Sequence, residues 1–303
     1  MSLDLKILYR GPLSSCNYDC HYCPFAKHFE SAEELAVDRA ALQRFVDWIG
    51  GRDKDRLSIL FTPWGEGLTR RWYRSAIQSL SHLEQVQKVA IQTNLTCSLD
   101  WINDCDLSSV GFWCTWHPTQ ISMEKFVARC EQLDRIGVSY SVGIVGLREY
   151  MADAAALRKR LSPDTYFWVN AYKSAPDSEK LPDGQYYSPL DLEHWSAIDP
   201  LFPINNVRHP SEGKPCRTGQ SVISVDGQGD VRRCHFIKQV IGNLYDGSFE
   251  SALKPRTCTN QTCGCHIGYV HMNERRLYDV FGEGLMERVP VEKIWQLETA
   301  KQS

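Results

Sequence analysis

The sequence predicts an α/β chain: a partial barrel of six β–α units followed by a small β-hairpin/α unit. Three observations predict it. Short β-rich runs alternate with amphipathic helical patterns over residues 1–200. Beyond residue 205 the pattern breaks into short runs joined by turn residues. Three cysteines also crowd one loop directly behind the first apolar run. Strands alternating with helices imply a parallel sheet with right-handed crossovers. Eight such units close a barrel, with chemistry at the C-terminal ends of its strands; six leave it partial and open.

In chain order, the strand runs are Leu5–Tyr9, Leu57–Thr62, Lys88–Thr93, Ser109–Thr115, Val138–Val145 and Thr165–Ala171. Helical spacing covers Arg39–Ile49, where Leu42, Phe45, Val46 and Ile49 share a face and Gly50-Gly51 stops the helix. It also covers Ser122–Ile136, with Ser122 as N-cap, Phe126, Val127, Cys130 and Leu133 inward, and Gly137 at the end. Met151–Leu161 is a third helix. Residues 173–215 are loop-like around a helical stretch at Asp191–Ile198, and are taken as the last barrel helix and a linker. Ser221–Asp226 and Asp230–Cys234, joined by Gly-Gln-Gly, form a hairpin signal. A short helix near Phe249–Leu253 and the run C-T-N-Q-T-C-G-C-H follow. The expected division is a partial barrel over 1–205 and a smaller metal-binding unit over 206–303.

The chain has 303 residues, enough for one large domain or a large and a small one. Its hydrophobic content of 43% and charged content of 23% are ordinary for a globular protein. A net charge of −3 gives no pull toward nucleic acid or an anionic membrane. There is no signal peptide pattern and no apolar run of membrane-spanning length. Twelve cysteines without an export signal point to metal ligation in a reducing, cytoplasmic setting instead of disulfides.

The most specific pattern is Cys16, Cys20 and Cys23 in S-C-N-Y-D-C-H-Y-C-P. Three thiolates on a tight loop can hold three irons of a [4Fe–4S] cube and leave the fourth iron open to a ligand. Half of a zinc site is the alternative, because His21 and His28 are close.

The C-x3-C-x2-C spacing resembles the signature of the radical S-adenosylmethionine (radical SAM) superfamily. In that family the open iron chelates the amino and carboxylate groups of SAM. The resemblance extends along the strand ends. Tyr22 stands where the family places an aromatic near the cluster and adenine. T-P-W-G-E-G-L resembles the family's Gly-Gly-Glu-Pro, with Trp64 replacing the first Gly and Gly67 replacing Pro. Gly65 and Glu66 survive, and Glu66 is the implied acceptor of the SAM ammonium. Asn94 in Q-T-N-L is implied at the carboxylate or ribose, and Thr115 and His117 in C-T-W-H-P at the ribose. V-G-I-V-G-L-R-E approximates Gly-x-Ile-x-Gly-x-x-Glu, with Val142 in place of the first Gly and Ile144, Gly146 and Glu149 matching, which implies that Ile144 packs on adenine and Gly146 permits its close approach. Asn170, in W-V-N-A-Y, is implied at the adenine or substrate.

Cys216, Gly229 and Cys234, with twelve and four residues between them, resemble the opening of the SPASM/twitch extensions that hold auxiliary clusters. Ile241-Gly242-Asn243-Leu244 resembles the segment that follows there. Cys258, Cys263 and Cys265 complete a set of five, enough for one four-ligand [4Fe–4S] cluster. Their C-x4-C-x-C closing spacing departs from the family, and a structural zinc that also uses His266 is the rival. Cys97, Cys105, Cys114 and Cys130 are expected to be buried thiols.

The resemblance implies reductive SAM cleavage to a 5′-deoxyadenosyl radical and hydrogen abstraction from a peptide or protein side chain. A small-molecule substrate, or a non-catalytic iron–sulfur or zinc module, is the alternative. It also implies an electron donor such as flavodoxin or ferredoxin. The chain starts almost at its first strand, so a leader peptide would need a separate partner or the 173–215 segment to hold it. No general base is singled out among Asp226, Asp230, Arg148, His235 and Tyr172.

Overall fold

The computed structural model of this chain describes residues 2–23, 25, 29–173 and 186–294. His28, and the loop-like run over 174–185, lie outside the described residues. The barrel part runs β1 (Asp4–Arg10), α1 (Ala32–Gly50), β2 (Arg56–Phe61), α2 (Arg71–Ser81), β3 (Val86–Thr93), β4 (Val110–Thr115), α3 (Met123–Ile136), β5 (Ser139–Gly146), α4 (Met151–Arg160) and β6 (Phe167–Ala171). α5 (Pro189–Ile198) and α6 (Phe202–Asn205) come next. All six expected strands form, and they pair in parallel in chain order.

Local chemistry explains the helices. α1 opens on a capping box in which Ser31 and Glu34 satisfy each other's backbone N–H. α3 starts at Ser122 and ends at Gly137, whose φ of 81° suits glycine. α2 buries Tyr73, Ala76, Ile77 and Leu80, spaced three and four apart, a helical face absent from the sequence expectation. The third unit departs from the β–α pattern: β3 and β4 are joined through the 3₁₀ turn Asp100–Asp104, of which only Ile102 is buried.

The later elements are β7 (His209–Pro210), β8 (Pro215–Cys216), β9 (Val222–Asp226), β10 (Asp230–Arg232), β11 (Val240–Asn243), α7 (Ser248–Ala252), β12 (Arg256–Thr257), β13 (Thr262–Cys263), α8 (His266–Tyr269) and α9 (Leu277–Phe281). The expected hairpin is β9–β10. It does not stand apart: β9 pairs in parallel with β1, from Lys6↔Val222 to Arg10↔Asp226. One nine-stranded sheet therefore runs β11-β10-β9-β1-β2-β3-β4-β5-β6.

The pleat divides the core in two. Leu5, Ile7 and Tyr9 of β1 and their counterparts pack outward on the helices. Leu8, Leu60, Ala90, Trp113 and Trp168 point inward. There they meet the C-terminal segment, through Ile267, Met272, Phe281 and Met286. Ser141 Oγ donates to the Glu287 carbonyl at 2.6 Å, and Lys88 pairs with the Glu287 carboxylate at 3.1 Å. The C-terminus thus plugs the barrel from the side opposite the cysteine loop. No described helix is long and apolar enough to cross a membrane.

Candidate functional site

The cysteine loop leaves the C-terminal end of β1, as expected, and is held from three sides. Glu30 accepts from the backbone N–H and hydroxyl groups of Ser14 and Ser15. Arg70 Nη2 donates to Ser15 Oγ at 2.8 Å. Asp38 of α1 accepts from Leu13 N. The loop also presses on the turn after β2: Glu66 N donates to the Ser15 carbonyl at 3.1 Å. A Cβ on Gly65 would lie 1.7 Å from that same oxygen, so only glycine lets the two loops meet.

The three thiols differ in exposure. Cys16 is exposed, Cys20 buried and Cys23 half-buried. Burial raises the Cys16 pKa, opposed by the Tyr18 N–H that points at its sulfur. Cys20 Sγ lies 3.4 Å and Tyr22 Oη 3.0 Å from His117 Nδ1, and the Tyr22 and His117 rings stack at 5.9 Å. Burial lowers the His117 pKa to about 4, so the ring is neutral near pH 7.

Glu66 is 3% exposed. Its carboxylate accepts from Leu68 N and Thr93 Oγ1, both at 2.9 Å, and from Asn94 N at 2.5 Å. Burial nevertheless raises its pKa to about 7, against those three bonds. Asn94 Nδ2 donates to Asn17 Oδ1 at 2.9 Å, which carries the network back to the cysteine loop. Leu95 beside it holds a φ of 61°, strained for a γ-branched residue. Cys16, Cys20, Cys23, Tyr22, Gly65, Glu66, Asn94 and His117 therefore form one connected group. Thr115 is half-buried and shares the inner pleat face of Trp113.

Ile144 and Gly146 lie on the helix-facing side of β5. Ile144 is fully buried in the helix-facing core and lines no part of the cavity into which the C-terminal cysteines face. Gly146 belongs to the same outer face: its carbonyl accepts from Tyr187 Oη at 2.6 Å, and a Cβ there would meet that hydroxyl at 2.9 Å. The motif match gives residue identity but does not fix which side of the pleat a side chain takes.

The five C-terminal cysteines come from separate elements: Cys216 in β8, Cys234 after β10, Cys258 after β12, Cys263 in β13 and Cys265 before α8. β8 pairs with β12, and β13 with β7. Burial raises the Cys234 pKa to about 11 and the Cys263 pKa to about 12, and in both the neighbouring thiols add to the shift. All five line one cavity of about 1100 Å³, together with Tyr22 and Asn170. Its size exceeds that of an ordinary small-molecule pocket. Among the described residues no three His, Cys, Asp or Glu side chains are gathered to hold a single metal ion. The donor chemistry fits cubes: three thiols on one loop, and at least four more among the five that line the cavity. His266 lines the cavity, but its ring is packed edge-on against Trp113 and Phe281, both at 5.3 Å.

Of the candidate bases, His235 and Tyr172 line the cavity. Asp226 and Asp230 pair with Arg232, and Arg148 pairs with Asp191. His235 bridges Thr62 at the end of β2 to Ser224 of β9, tying barrel rim to hairpin. Sequence reasoning missed Arg10, Lys173 and Arg208 on the cavity wall, and the buried Arg288 behind Asn170. The parity of Arg10 with Leu8 was the available signal. Cys97, Cys105, Cys114 and Cys130 are buried in the helix-side core.

No family model and no curated protein sequence matches the chain. Among solved structures, anSMEcpe with bound AdoMet is similar at a TM-score of 0.55 and 14% identity, over 98% of this chain and 95% of that one. The same protein with bound AdoMet and the Cp18Cys peptide is similar at 0.54 and 17%, over 82% and 80%. Streptococcus suis SuiB bound to its precursor peptide SuiA is similar at 0.51 and 12%, over 84% of this chain and 65% of that one. At such identities the likeness is one of architecture: this chain has the radical SAM partial-barrel fold.

Proposed function

We propose that the chain is a radical SAM enzyme that modifies a peptide or protein side chain oxidatively in a reducing, cytoplasmic setting. Cys16, Cys20 and Cys23 would hold a [4Fe–4S] cube, which with SAM and an electron would supply a 5′-deoxyadenosyl radical. Glu66 receives the SAM ammonium, Asn94 its carboxylate or ribose, and Tyr22, Thr115, His117 and Asn170 border the nucleoside. The connected network from Asn17 through Asn94 to Glu66 holds these groups in place before SAM arrives. Four of Cys216, Cys234, Cys258, Cys263 and Cys265 would hold a second cube of the SPASM/twitch kind, which would supply an electron acceptor for the substrate. A flavodoxin or ferredoxin supplies the first electron.

One observation carries this reading. One cavity is lined both by Tyr22 of the cysteine loop and by all five C-terminal cysteines. A substrate held there would lie beside the cysteine loop and the C-terminal cysteines. The similarity to anSMEcpe and SuiB, each with a bound peptide, supports a peptide as the occupant. The decisive experiment measures 5′-deoxyadenosine from anaerobically reconstituted protein with SAM and dithionite. Wild type produces it and Cys16→Ala does not; a variant that still cleaves SAM would refute the assignment.

A further inference from the structure

The cavity has a charge pattern of its own, whose meaning rests on the radical SAM reading of that site. Its described lining includes Arg10, Lys173 and Arg208 and contains no Asp or Glu, in a chain whose net charge is −3. Lys173 binds the walls: its Nζ donates to the carbonyls of Gly264 at 2.6 Å and Val207 at 3.1 Å. Arg10 is placed differently. It is the last residue of β1 and shares the inward pleat face of Leu8, so its side chain stands at the barrel rim. Its Nε donates to the Thr62 carbonyl at 2.8 Å, and the guanidinium lies 4.2 Å from the Trp64 ring centroid. Its two terminal nitrogens have no hydrogen-bond partner, and no carboxylate pairs with it among the described residues. Burial lowers its pKa to about 10, the mark of a cation partly removed from water. A stacked guanidinium with its fork left open is built to grip a planar or tetrahedral anion.

Two further features surround that fork. Trp64 and Phe25 line the cavity, are 41% and 42% exposed, and pack edge to face at 5.0 Å. Large exposed aromatics at a concave site offer an apolar platform for a ligand. Opposite, Arg288 Nη1 donates to Asn170 Oδ1 at 3.0 Å. Arginine has only donors, so the Asn170 oxygen must face Arg288, and the end left for the cavity is the donating amide nitrogen. Cation, aromatic platform and amide donor all suit an electron-rich ligand.

We propose that the cavity selects a substrate carrying a carboxylate or phosphate beside an aromatic or apolar body, with Arg10 gripping the anion and Trp64 holding its guanidinium flat. The competing role for Arg10 is to stabilise Cys265 in the charged form that would hold a metal.

The test uses full-length protein, anaerobically loaded with iron and sulfide and saturated with SAM, without reductant. Calorimetry compares N-acetylphenylalanine and phenyl phosphate with the neutral N-acetylphenylalaninamide, on wild type, Arg10→Gln and Arg10→Lys. At least one anion is expected to bind wild type tenfold or more tightly than the amide. That advantage disappears in Arg10→Gln and shrinks in Arg10→Lys, which keeps the charge but lacks the planar fork. The leading anion identifies the group recognised. Absent or equal binding of the anions, or an anion preference that survives in Arg10→Gln, overturns the proposal. So does an Arg10→Gln protein whose C-terminal iron or EPR signal is altered while its anion preference stands, because Arg10 then serves the thiolates. Parallel samples with dithionite report 5′-deoxyadenosine. Its absence in wild type defeats the radical SAM reading, while the anion preference is still read from the binding data.

Discussion

On the proposed reading, Glu66 meets two demands of opposite sign. Its carboxylate joins the ends of β2 and β3 through Leu68, Thr93 and Asn94, yet burial raises its pKa from 4.5 to about 7. The folded protein therefore holds a proton that the unfolded chain releases between about pH 4.5 and 7, and stability falls as pH rises through that window. Ammonium binding runs the other way, because only the anion attracts a cation. SAM affinity should weaken as pH drops below about 7, by a factor approaching about tenfold per unit. Glu66→Gln should bind SAM weakly and without that slope, and should be more stable than wild type at pH 8. Equilibrium dialysis and urea unfolding across pH 6–8 measure both. A wild-type affinity that is flat with pH would remove Glu66 from the ammonium site. Sequence alone named Glu66 from its neighbour Gly65, but not the three donors around it, because those come from residues 27 and 28 positions away and from its own turn.

At the scale of elements, the cysteine loop is positioned by helices that carry no chemistry. Asp38 of α1 is fully buried and accepts from Leu13 N in the loop, from Trp72 Nε1 at 2.7 Å and from Tyr73 Oη, both in α2. One carboxylate thus ties α1, α2 and the chain leading to Cys16. Asp38→Ala would leave the Leu13 and Trp72 N–H groups buried and unpaired, at a cost of about 2–4 kcal/mol in denaturant unfolding. The N-terminal cluster should also become more labile to chelator, which a change confined to the C-terminal half would not cause. The strands were legible because parallel strands alternate with helices and each carries a dense apolar run. The partner of β9 was not. Local periodicity marks Val222–Asp226 as a strand, but nothing in it says that the strand pairs with β1, more than two hundred residues earlier. The side on which Ile144 stands was not legible for a related reason. A motif aligned by letters does not give the pleat side, and parity with Val142 puts Ile144 toward the helices.

At the scale of the whole molecule, the C-terminal chain does two separate jobs. Beyond Cys265 it fills the barrel interior with Ile267, Phe281 and Met286, and before that it raises a wall of thiols across the barrel mouth. The segment beyond Cys265 packs against inward-facing residues of the strands, and the cavity between strand ends and C-terminal cysteines is lined by both. Loading the wall requires deprotonation of thiols that burial holds at about 11 for Cys234 and about 12 for Cys263. Metal binding must therefore expel protons, and occupancy of this site should fall as the loading pH is lowered. Anaerobic reconstitution with iron counting separates the readings. Two cubes give about eight irons per chain in wild type and about four in the Cys16/Cys20/Cys23 triple alanine variant. About four irons in wild type and none in the variant, with zinc retained, would make the wall structural. The substrate's electron would then have no acceptor beside it, and the chemistry would reduce to hydrogen abstraction without net oxidation.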